Sequence, residues 1–190
     1  MRKWIVLVLL IVLAGCAEET KLESEQEEES TESGTSAEGG SSESDGGAGN
    51  TSSTNPLLVY NFDDGLAPEG FNSVGDASWF VDEYRSYSPT YSAGSGIIAD
   101  SQISCLVLET GVPTSAISFY FNVSTEPEYD GLVFIIGDEI LDGWSGEWDW
   151  TDKTYEHVSG LTSYSWCFTK NESISAGVDA AWVDEINLYE

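Results

Sequence analysis

The sequence predicts an all-β domain in residues 56–190, folded as an antiparallel two-sheet sandwich of the jelly-roll type. In residues 117–124 and 163–169, large apolar side chains alternate with polar or smaller ones, which is the period of a strand with one buried face. Further short segments of this kind follow one another with turn residues between them, and no window has the period of an amphipathic helix. Many short strands at such spacing are typical of an antiparallel sandwich.

The segments that we predict as strands are short and are separated by turns that contain Gly or Asp. They are residues 57–62, 78–82, 104–109, 117–124, 132–136, 148–155, 163–169 and 180–189. The turn signals include residues 63–65, 137–138 and 142–143. The run at residues 132–136 is apolar on both faces, which predicts a strand that is covered on each side.

The N-terminus has the pattern of an export signal. Arg2 and Lys3 precede an apolar run at residues 5–13 that is too short to span a bilayer, and small residues then lead to Cys16. This pattern resembles bacterial lipoprotein signals, in which the cysteine after the small residues is acylated. The resemblance implies that residues 1–15 are a signal peptide and that Cys16 carries lipid. We therefore expect an exported protein, lipid-anchored to the bacterial cell envelope on its surface or periplasmic face.

Residues 16–55 are predicted to be a disordered acidic linker. From residue 17 onward this segment holds 11 acids, many Ser, Thr and Gly, and no aromatic residue. It cannot bury enough apolar surface to offset the entropy lost on ordering. The remaining residues, 56–190, have the size of one domain, which we expect to be monomeric.

The charge of the chain excludes one class of partner. Without residues 1–15, four Lys and Arg residues remain against 34 acids, which gives a net charge of −30. Binding to a phosphate backbone needs clustered cations that displace counterions. A protein with this surface is not expected to bind nucleic acid.

Seven motifs in the predicted domain resemble a known group of modules. They are YNFDDG at 60–65, EGF at 69–71, DASW at 76–79, ISF at 117–119, YDGL at 129–132, WSGE at 144–147 and GVDAAWVDEI at 177–186. Together they resemble the jelly-roll modules of bacterial surface proteins, which are similar to MAM and cleaved-adhesin domains. The resemblance implies a MAM- or concanavalin-like jelly roll that serves as a surface binding or adhesion module, commonly with a structural calcium.

Two cysteines remain in the predicted domain. If Leu106 and Trp166 face the core, then the neighbouring Cys105 and Cys167 both point to outer faces. Adjacent strands would let them form a disulfide, whereas strands that are apart would leave two free thiols. Cys167 stands where the resembled pattern more often has an aromatic residue, and this departure favours a Cys105–Cys167 bridge.

Asp184 is a candidate metal ligand because of its place in the last predicted strand. Alternation predicts that it points the same way as Trp182, Ile186 and Leu188. A carboxylate buried with apolar residues needs hydrogen bonds, a cation or a proton.

The candidate calcium site adds three more aspartates. The first and last strands of jelly rolls commonly pair, which would bring Asp63, Asp64 and Asp76 near Asp184. Several carboxylate oxygens that converge in this way suit calcium, and the resemblance also implies it. The alternative is that Asp63 and Asp64 form a turn and that Asp184 caps backbone amides.

A cluster of tryptophans provides a candidate ligand site. Trp144, Trp148 and Trp150 lie within seven residues, together with Glu147 and Asp149. Sugars pack their C–H faces on aromatic rings, and carboxylates accept hydrogen bonds from their hydroxyl groups. The cluster therefore predicts a glycan site, while packing of the same rings in the core remains the alternative.

An enzymatic interpretation rests on one short segment. Residues 147–152, EWDWTD, resemble the active strand of laminarinase-like glycosidases, in which Glu147 and Asp152 would be the acidic pair around Asp149. Asp152 is one methylene shorter than the usual Glu, and the domain is small for such a cleft. We therefore predict a non-enzymatic module that binds an extracellular glycan or protein. The two alternatives to this binding function are an assembly module of the cell envelope and a small glycoside hydrolase that uses Glu147 and Asp152.

Overall fold

The computed structural model describes residues 55–190, which form two antiparallel sheets packed face to face. The predicted sandwich is confirmed, and this part of the chain contains strands and turns but no helix. Accordingly, no helix that could cross a membrane is found among these residues. The predicted signal peptide, the lipidated Cys16 and nearly all of the predicted linker lie outside the described residues.

Eleven strands make up the described part of the chain. They are β1 (Leu58–Tyr60), β2 (Phe71–Gly75), β3 (Phe80–Asp82), β4 (Ser92–Gly94), β5 (Ile103–Glu109), β6 (Thr114–Ser124), β7 (Gly131–Ile136), β8 (Glu139–Ser145), β9 (Glu147–Gly160), β10 (Ser163–Thr169) and β11 (Ala180–Tyr189).

The first sheet has the order β3-β4-β11-β6-β9, and β1 also pairs with β11. The second sheet has the order β2-β5-β10-β7-β8. The pairing of β1 with β11 places Leu58 opposite Leu188, so that the first and last strands lie side by side as predicted. The start and the end of the folded domain are therefore neighbours at one end of the sandwich.

Aromatic side chains from both sheets fill the space between them. Phe119 of β6 lies 4.6 Å from Phe134 of β7 and 5.3 Å from Trp166 of β10, measured between ring centroids. All three side chains are fully buried. The predicted alternation in β6 and β10 therefore sets the core, because each strand turns every second side chain toward the other sheet.

Three strands lack the apolar alternation that would predict them. β2 is an edge strand with exposed polar positions, and β4 consists of Ser92, Ala93 and Gly94. In β8, the predicted turn at residues 142–143 is wrong, because Gly143 pairs with Val133 inside the strand. These strands form because their neighbours offer unpaired backbone groups, not because their side chains prefer strands.

A β-bulge in β11 overturns the predicted direction of Asp184. Asp184 pairs with Tyr120 and Asn187 pairs with Ser118, so β11 has one more residue here than β6. The extra residue moves subsequent side chains to the other face. Asp184 therefore lies on the outer face of the sheet, whereas Ile186 belongs to the core.

Cys105 and Cys167 form a disulfide between adjacent strands β5 and β10, with a Cα–Cα distance of 4.0 Å. The bridge belongs to a small second cluster that also contains Val133, Ile135 and their apolar neighbours. The main core holds the alternate residues of the same strands, such as Leu106 and Trp166.

We expect that replacing both cysteines with alanine lowers the free energy of unfolding by about 2–4 kcal/mol, because the bridge closes a long loop and restricts the unfolded chain. Urea unfolding of the oxidised wild type and of the double variant measures the difference. Reduction of the wild type provides the control and should produce a similar loss, with no effect on the variant. Equal urea midpoints for the oxidised wild type and the variant would contradict the prediction.

Candidate functional site

The three tryptophans of the predicted glycan site do not share one surface. Trp144 is only 3% exposed and stacks on Phe121 with a centroid distance of 4.0 Å. It lies in β8 opposite Leu132, so its ring points into the core. The prediction that Trp144 contacts a ligand is therefore wrong, and the alternative of core packing holds for this residue.

A bulge in β9 separates the other two tryptophans. Trp148 pairs with Val123 and Thr151 pairs with Phe121, so β9 has one extra residue between these pairs. Trp148 therefore shares the inner face with Val123 at the open edge of the sandwich, where it is 41% exposed. Trp150 contacts Tyr87 above the outer face of the sheet. A regular strand would place Trp148 and Trp150 on one face, and the extra residue of the bulge separates them.

The carboxylates of the predicted site are distributed along the same strand. Glu147 is exposed and accepts a hydrogen bond from Ser124 Oγ at 2.9 Å. Asp149 is exposed within the bulged part of β9, and Asp152 lies directly across from Tyr120. The role of Glu147 and Asp149 in ligand binding stays a prediction.

Three aromatic residues form what we call the aromatic platform, namely Tyr87, Tyr120 and Trp150. The Tyr87 ring stacks on the Tyr120 ring with a centroid distance of 3.5 Å and an interplanar angle of 11°. The Trp150 ring lies 6.3 Å from Tyr87 and is inclined to it by 63°. Tyr87 is 47% exposed. The platform thus presents two differently oriented aromatic surfaces on the outer face of the first sheet.

The platform lies in a negative electrostatic environment. The side chain of Tyr87 is the main cause that raises the pKa of Tyr120 to about 12, and burial and the carboxylates of Asp152 and Glu185 raise it further. The Tyr120 hydroxyl is therefore protonated at neutral pH and can take part in hydrogen bonds as a neutral group.

The platform depends on a segment outside any strand. Residues 83–91 connect β3 to β4 and lie over the outer face of the first sheet, where they bring Tyr87 onto Tyr120. The Arg85 guanidinium lies 4.4 Å from the Trp182 ring centroid and donates a hydrogen bond to Asn122 Oδ1 at 2.8 Å. These contacts fix the first half of the segment against the sheet.

Sequence reasoning did not single out Tyr87 or Tyr120. For Tyr120 a signal exists, because it is an aromatic residue on the polar face of the strongly alternating strand β6. Such a residue is a candidate for contact with a partner. For Tyr87 there is no equivalent signal, since its segment has no periodic pattern and its place is set by tertiary contacts.

The structure does not bring the predicted calcium ligands together into one group. Asp64 Oδ1 accepts a hydrogen bond from the Leu66 amide, Asp76 Oδ2 accepts one from Ile103, and Asp63 is exposed. In residues 55–190, no group of three or more His, Cys, Asp and Glu side chains is arranged to hold a metal ion. The alternative of a turn and a capping aspartate describes these residues instead.

Asp184 is fully buried, and backbone amides donate hydrogen bonds to both of its carboxylate oxygens. Oδ2 accepts from Tyr87 at 2.8 Å and from Ser88 at 3.1 Å, and Oδ1 accepts from Glu185 at 2.8 Å. Burial raises the pKa of Asp184 to about 6, while these three hydrogen bonds lower it. The carboxylate has its partners without a cation.

A pocket at the opposite edge of the sandwich is less suited to recognition. It is lined mainly by apolar side chains, including Phe62, Phe71 and Trp79. Two of its polar groups are already used, since Ser73 Oγ accepts a hydrogen bond from the Trp79 amide and Trp79 Nε1 donates to the Ser104 carbonyl. The pocket therefore offers few free groups that could orient a ligand.

No protein-family model and no curated protein sequence match the chain. Solved structures match its fold. The K2 cleaved adhesin domain of Lys-gingipain, a protein of Porphyromonas gingivalis, has a TM-score of 0.55 at 10% identity, and the match covers 70% of this chain and 97% of that chain. A CBM22 xylan-binding domain of Xyn10C from Paenibacillus barcinonensis has a TM-score of 0.50 at 15% identity, with 72% and 96% covered.

A third structure, TmCBM61 in complex with β-1,4-galactotriose, has a TM-score of 0.50 at 12% identity, and the match covers 68% of this chain and 94% of that chain. At such low identities, these likenesses establish the fold alone. The predicted adhesin-like β-sandwich is confirmed at that level. The matched structures include both adhesin domains and carbohydrate-binding modules.

We expect the melting temperature of the protein to be the same in calcium and in EGTA, because the predicted ligands form no metal-binding group among the described residues and Asp64, Asp76 and Asp184 accept backbone hydrogen bonds. A ligand that binds only the folded state must raise its stability, so differential scanning calorimetry detects any such site. A clear increase with calcium would reveal a site built from other oxygens. Magnesium at equal ionic strength controls for screening of the acidic surface.

We expect the Asp184 carboxyl group to titrate near pH 6 in the folded protein. Its unfolded pKa is about 4, so the folded state binds the proton more tightly. The contribution of Asp184 to stability is therefore largest below the unfolded pKa and is lost as the pH rises through the folded pKa. Carboxyl ¹³C NMR measures the folded value, and the urea-unfolded protein is the reference. Equal pKa values in the two states would contradict this prediction.

Proposed function

We propose that this protein is a non-catalytic binding module of the bacterial cell envelope and that its aromatic platform binds an uncharged extracellular glycan. The observation that carries the proposal is the half-exposed Tyr87 ring, stacked on Tyr120 and flanked by Trp150 at a different inclination. A sugar ring that packs on Tyr87 can contact Trp150 with its edge. Aromatic rings that are held in place before binding lose little entropy when they take up a ligand.

The polar groups around the platform suit the hydroxyl groups of a neutral sugar. Asp152 lies across from Tyr120, and Glu185 follows Asp184 in β11. Carboxylates accept hydrogen bonds from sugar hydroxyls, whereas they repel uronic acids and sulfated sugars. With a net charge of −28 for the chain, the surrounding surface also disfavours anionic polymers.

The comparisons support a binding role at the level of the fold. Among the matched structures, one is described as a xylan-binding domain, one was solved with β-1,4-galactotriose, and others are cleaved adhesin domains. Carbohydrate binding therefore occurs among proteins with this architecture. The same fold serves many functions, so the proposal of glycan binding by this chain rests on the aromatic platform.

An exported, lipid-anchored location is part of the proposal. The lipoprotein-like signal that ends at Cys16 supports it, and so does the Cys105–Cys167 disulfide, because such bridges form in oxidising compartments. Hydrolysis is not part of the proposed function. Glu147 pairs with Ser124 and Asp152 pairs with Tyr120, four residues apart along β6, so the two carboxylates lie farther apart than the roughly 5 Å that a retaining glycosidase needs.

We expect Trp150→Ala and Tyr87→Ala each to weaken glycan binding by about tenfold or more, since each removes an aromatic surface worth at least ~1.4 kcal/mol of contact. Isothermal titration calorimetry with xylohexaose and β-1,4-galactotriose measures the affinity. Polygalacturonate, an anionic polymer, should not bind.

Trp148→Ala is the matched control, because Trp148 is an indole of the same strand that is more exposed than Trp150 and lies on the other face. It should leave the affinity unchanged. Loss of binding in Trp148→Ala with none in Trp150→Ala would instead place the ligand beside Trp148 at the open edge of the sandwich. Absence of binding to any glycan, together with co-purification of an envelope protein, would favour the assembly module.

A further inference from the structure

We propose that Asp184 is a positioning residue that holds Tyr87 in place on the aromatic platform and thereby determines the affinity of the glycan site. This inference rests on the proposed function for its effect on binding. The hold on Tyr87 itself can be measured without a glycan.

The carboxylate of Asp184 connects the sheet to the segment that carries Tyr87. Asp184 belongs to β11, and its Oδ2 atom accepts hydrogen bonds from two successive amides, Tyr87 at 2.8 Å and Ser88 at 3.1 Å. Neither of these residues belongs to a strand, so no ladder supplies a partner for these amides. Asp184 is fully buried, and a buried carboxylate that lacks donors is costly, which gives the segment a strong preference for this position.

The register of the sheet explains why this contact controls the ring of Tyr87. Asp184 in β11 is the direct cross-strand partner of Tyr120 in β6. Paired residues of adjacent strands lie about 5 Å apart on the same face. An amide held by Asp184 therefore places its own side chain beside Tyr120, and the stacked Tyr87 ring is the result.

The bulge in β11 is what makes Asp184 available for this task. Glu185 has a positive φ of 48°, and the extra residue lets Asp184 point outward while Ile186 points into the core. In a regular strand the two side chains would share a face. The Glu185 amide also donates to Asp184 Oδ1 at 2.8 Å, which fixes the orientation of the carboxylate.

Asparagine cannot replace Asp184 in this role. Three amides donate to the two carboxylate oxygens, and both oxygens are needed. In either orientation an asparagine would direct its NH₂ group at a backbone N–H, so a donor would face a donor. Asp184→Asn keeps the shape and volume of the side chain, and it replaces one accepting oxygen, together with the negative charge, by an NH₂ donor.

A double-mutant cycle between Asp184 and Tyr87 tests the inference. We expect Asp184→Asn to reduce the affinity for xylohexaose or β-1,4-galactotriose to about the level of Tyr87→Ala, roughly tenfold below the wild type. The variant with both substitutions should bind no more weakly than Tyr87→Ala alone. Asp130→Asn is the matched control, since Asp130 is equally buried and also accepts from a backbone amide, that of Asn171. It should keep the wild-type affinity.

Amide hydrogen exchange provides a readout that needs no ligand. In the wild type, the amides of Tyr87 and Ser88 should be protected although they pair with no strand. Both should exchange much faster in Asp184→Asn and remain protected in Asp130→Asn. If Asp184→Asn does not fold, rapid exchange of the two amides in the wild type alone would overturn the inference.

The outcomes separate the two proposals. Further loss of affinity when Asp184→Asn is added to Tyr87→Ala would show that Asp184 acts on the fold in general, and this overturns the inference. Unchanged protection of Tyr87 in Asp184→Asn also overturns it, whether or not a glycan binds. Failure of the wild type to bind any glycan overturns the proposed function, and the exchange data then still decide whether Asp184 holds Tyr87.

Discussion

The alternation of side chains along β6 is the constraint on which the rest of this structure depends. Phe119 and Phe121 fill the core, so Tyr120 between them has to lie on the outer face. Each neighbouring strand of β6 has a bulge near this residue, one in β9 and one in β11. The bulge in β9 leaves Trp150 on the outer face, and the bulge in β11 lets Asp184 point outward. The platform thus forms where two irregular strands flank a regular one.

The sequence contains enough information for the sandwich and for most of its strands, because burial imposes a period of two wherever a strand covers the core. It does not contain a readable signal for the bulges. A single extra residue reverses the face of subsequent side chains, and the segments around Asp184 and Trp150 look regular in the sequence. The predicted direction of Asp184 assumed a regular strand, whereas a bulge places Asp184 and Ile186 on different faces. The predicted glycan site grouped tryptophans that are close in sequence, whereas Trp144 belongs to β8 and a bulge separates Trp148 from Trp150. Tyr87 depends on a segment whose position no local pattern indicates.

Several buried charged groups in this domain have internal partners. Asp82 accepts from the Trp182 indole at 2.6 Å and from the Tyr84 amide at 2.9 Å. Lys170 is almost fully buried and forms ion pairs with Asp179 and Asp100. Desolvation of a charge is costly unless hydrogen bonds or an opposite charge compensate for it. In this acidic domain, loops are therefore held in place by internal ion pairs and hydrogen bonds. The three amides that donate to Asp184 are a further example.

The acidic surface also limits how the platform can bind a ligand. Asp152 and Glu185 are close enough to Tyr120 to raise its pKa, so the platform lies in a negative potential. This potential gives no attraction to a neutral sugar, and in the salt outside a cell it is screened within about 8 Å. The free energy of binding must then come from contact between the sugar and the rings and from short hydrogen bonds. Contact of this kind depends steeply on position, and Tyr87 is the one platform residue that no strand positions. The hydrogen bonds that Asp184 accepts from the amides of Tyr87 and Ser88 hold this ring in a position that the sheet itself does not fix.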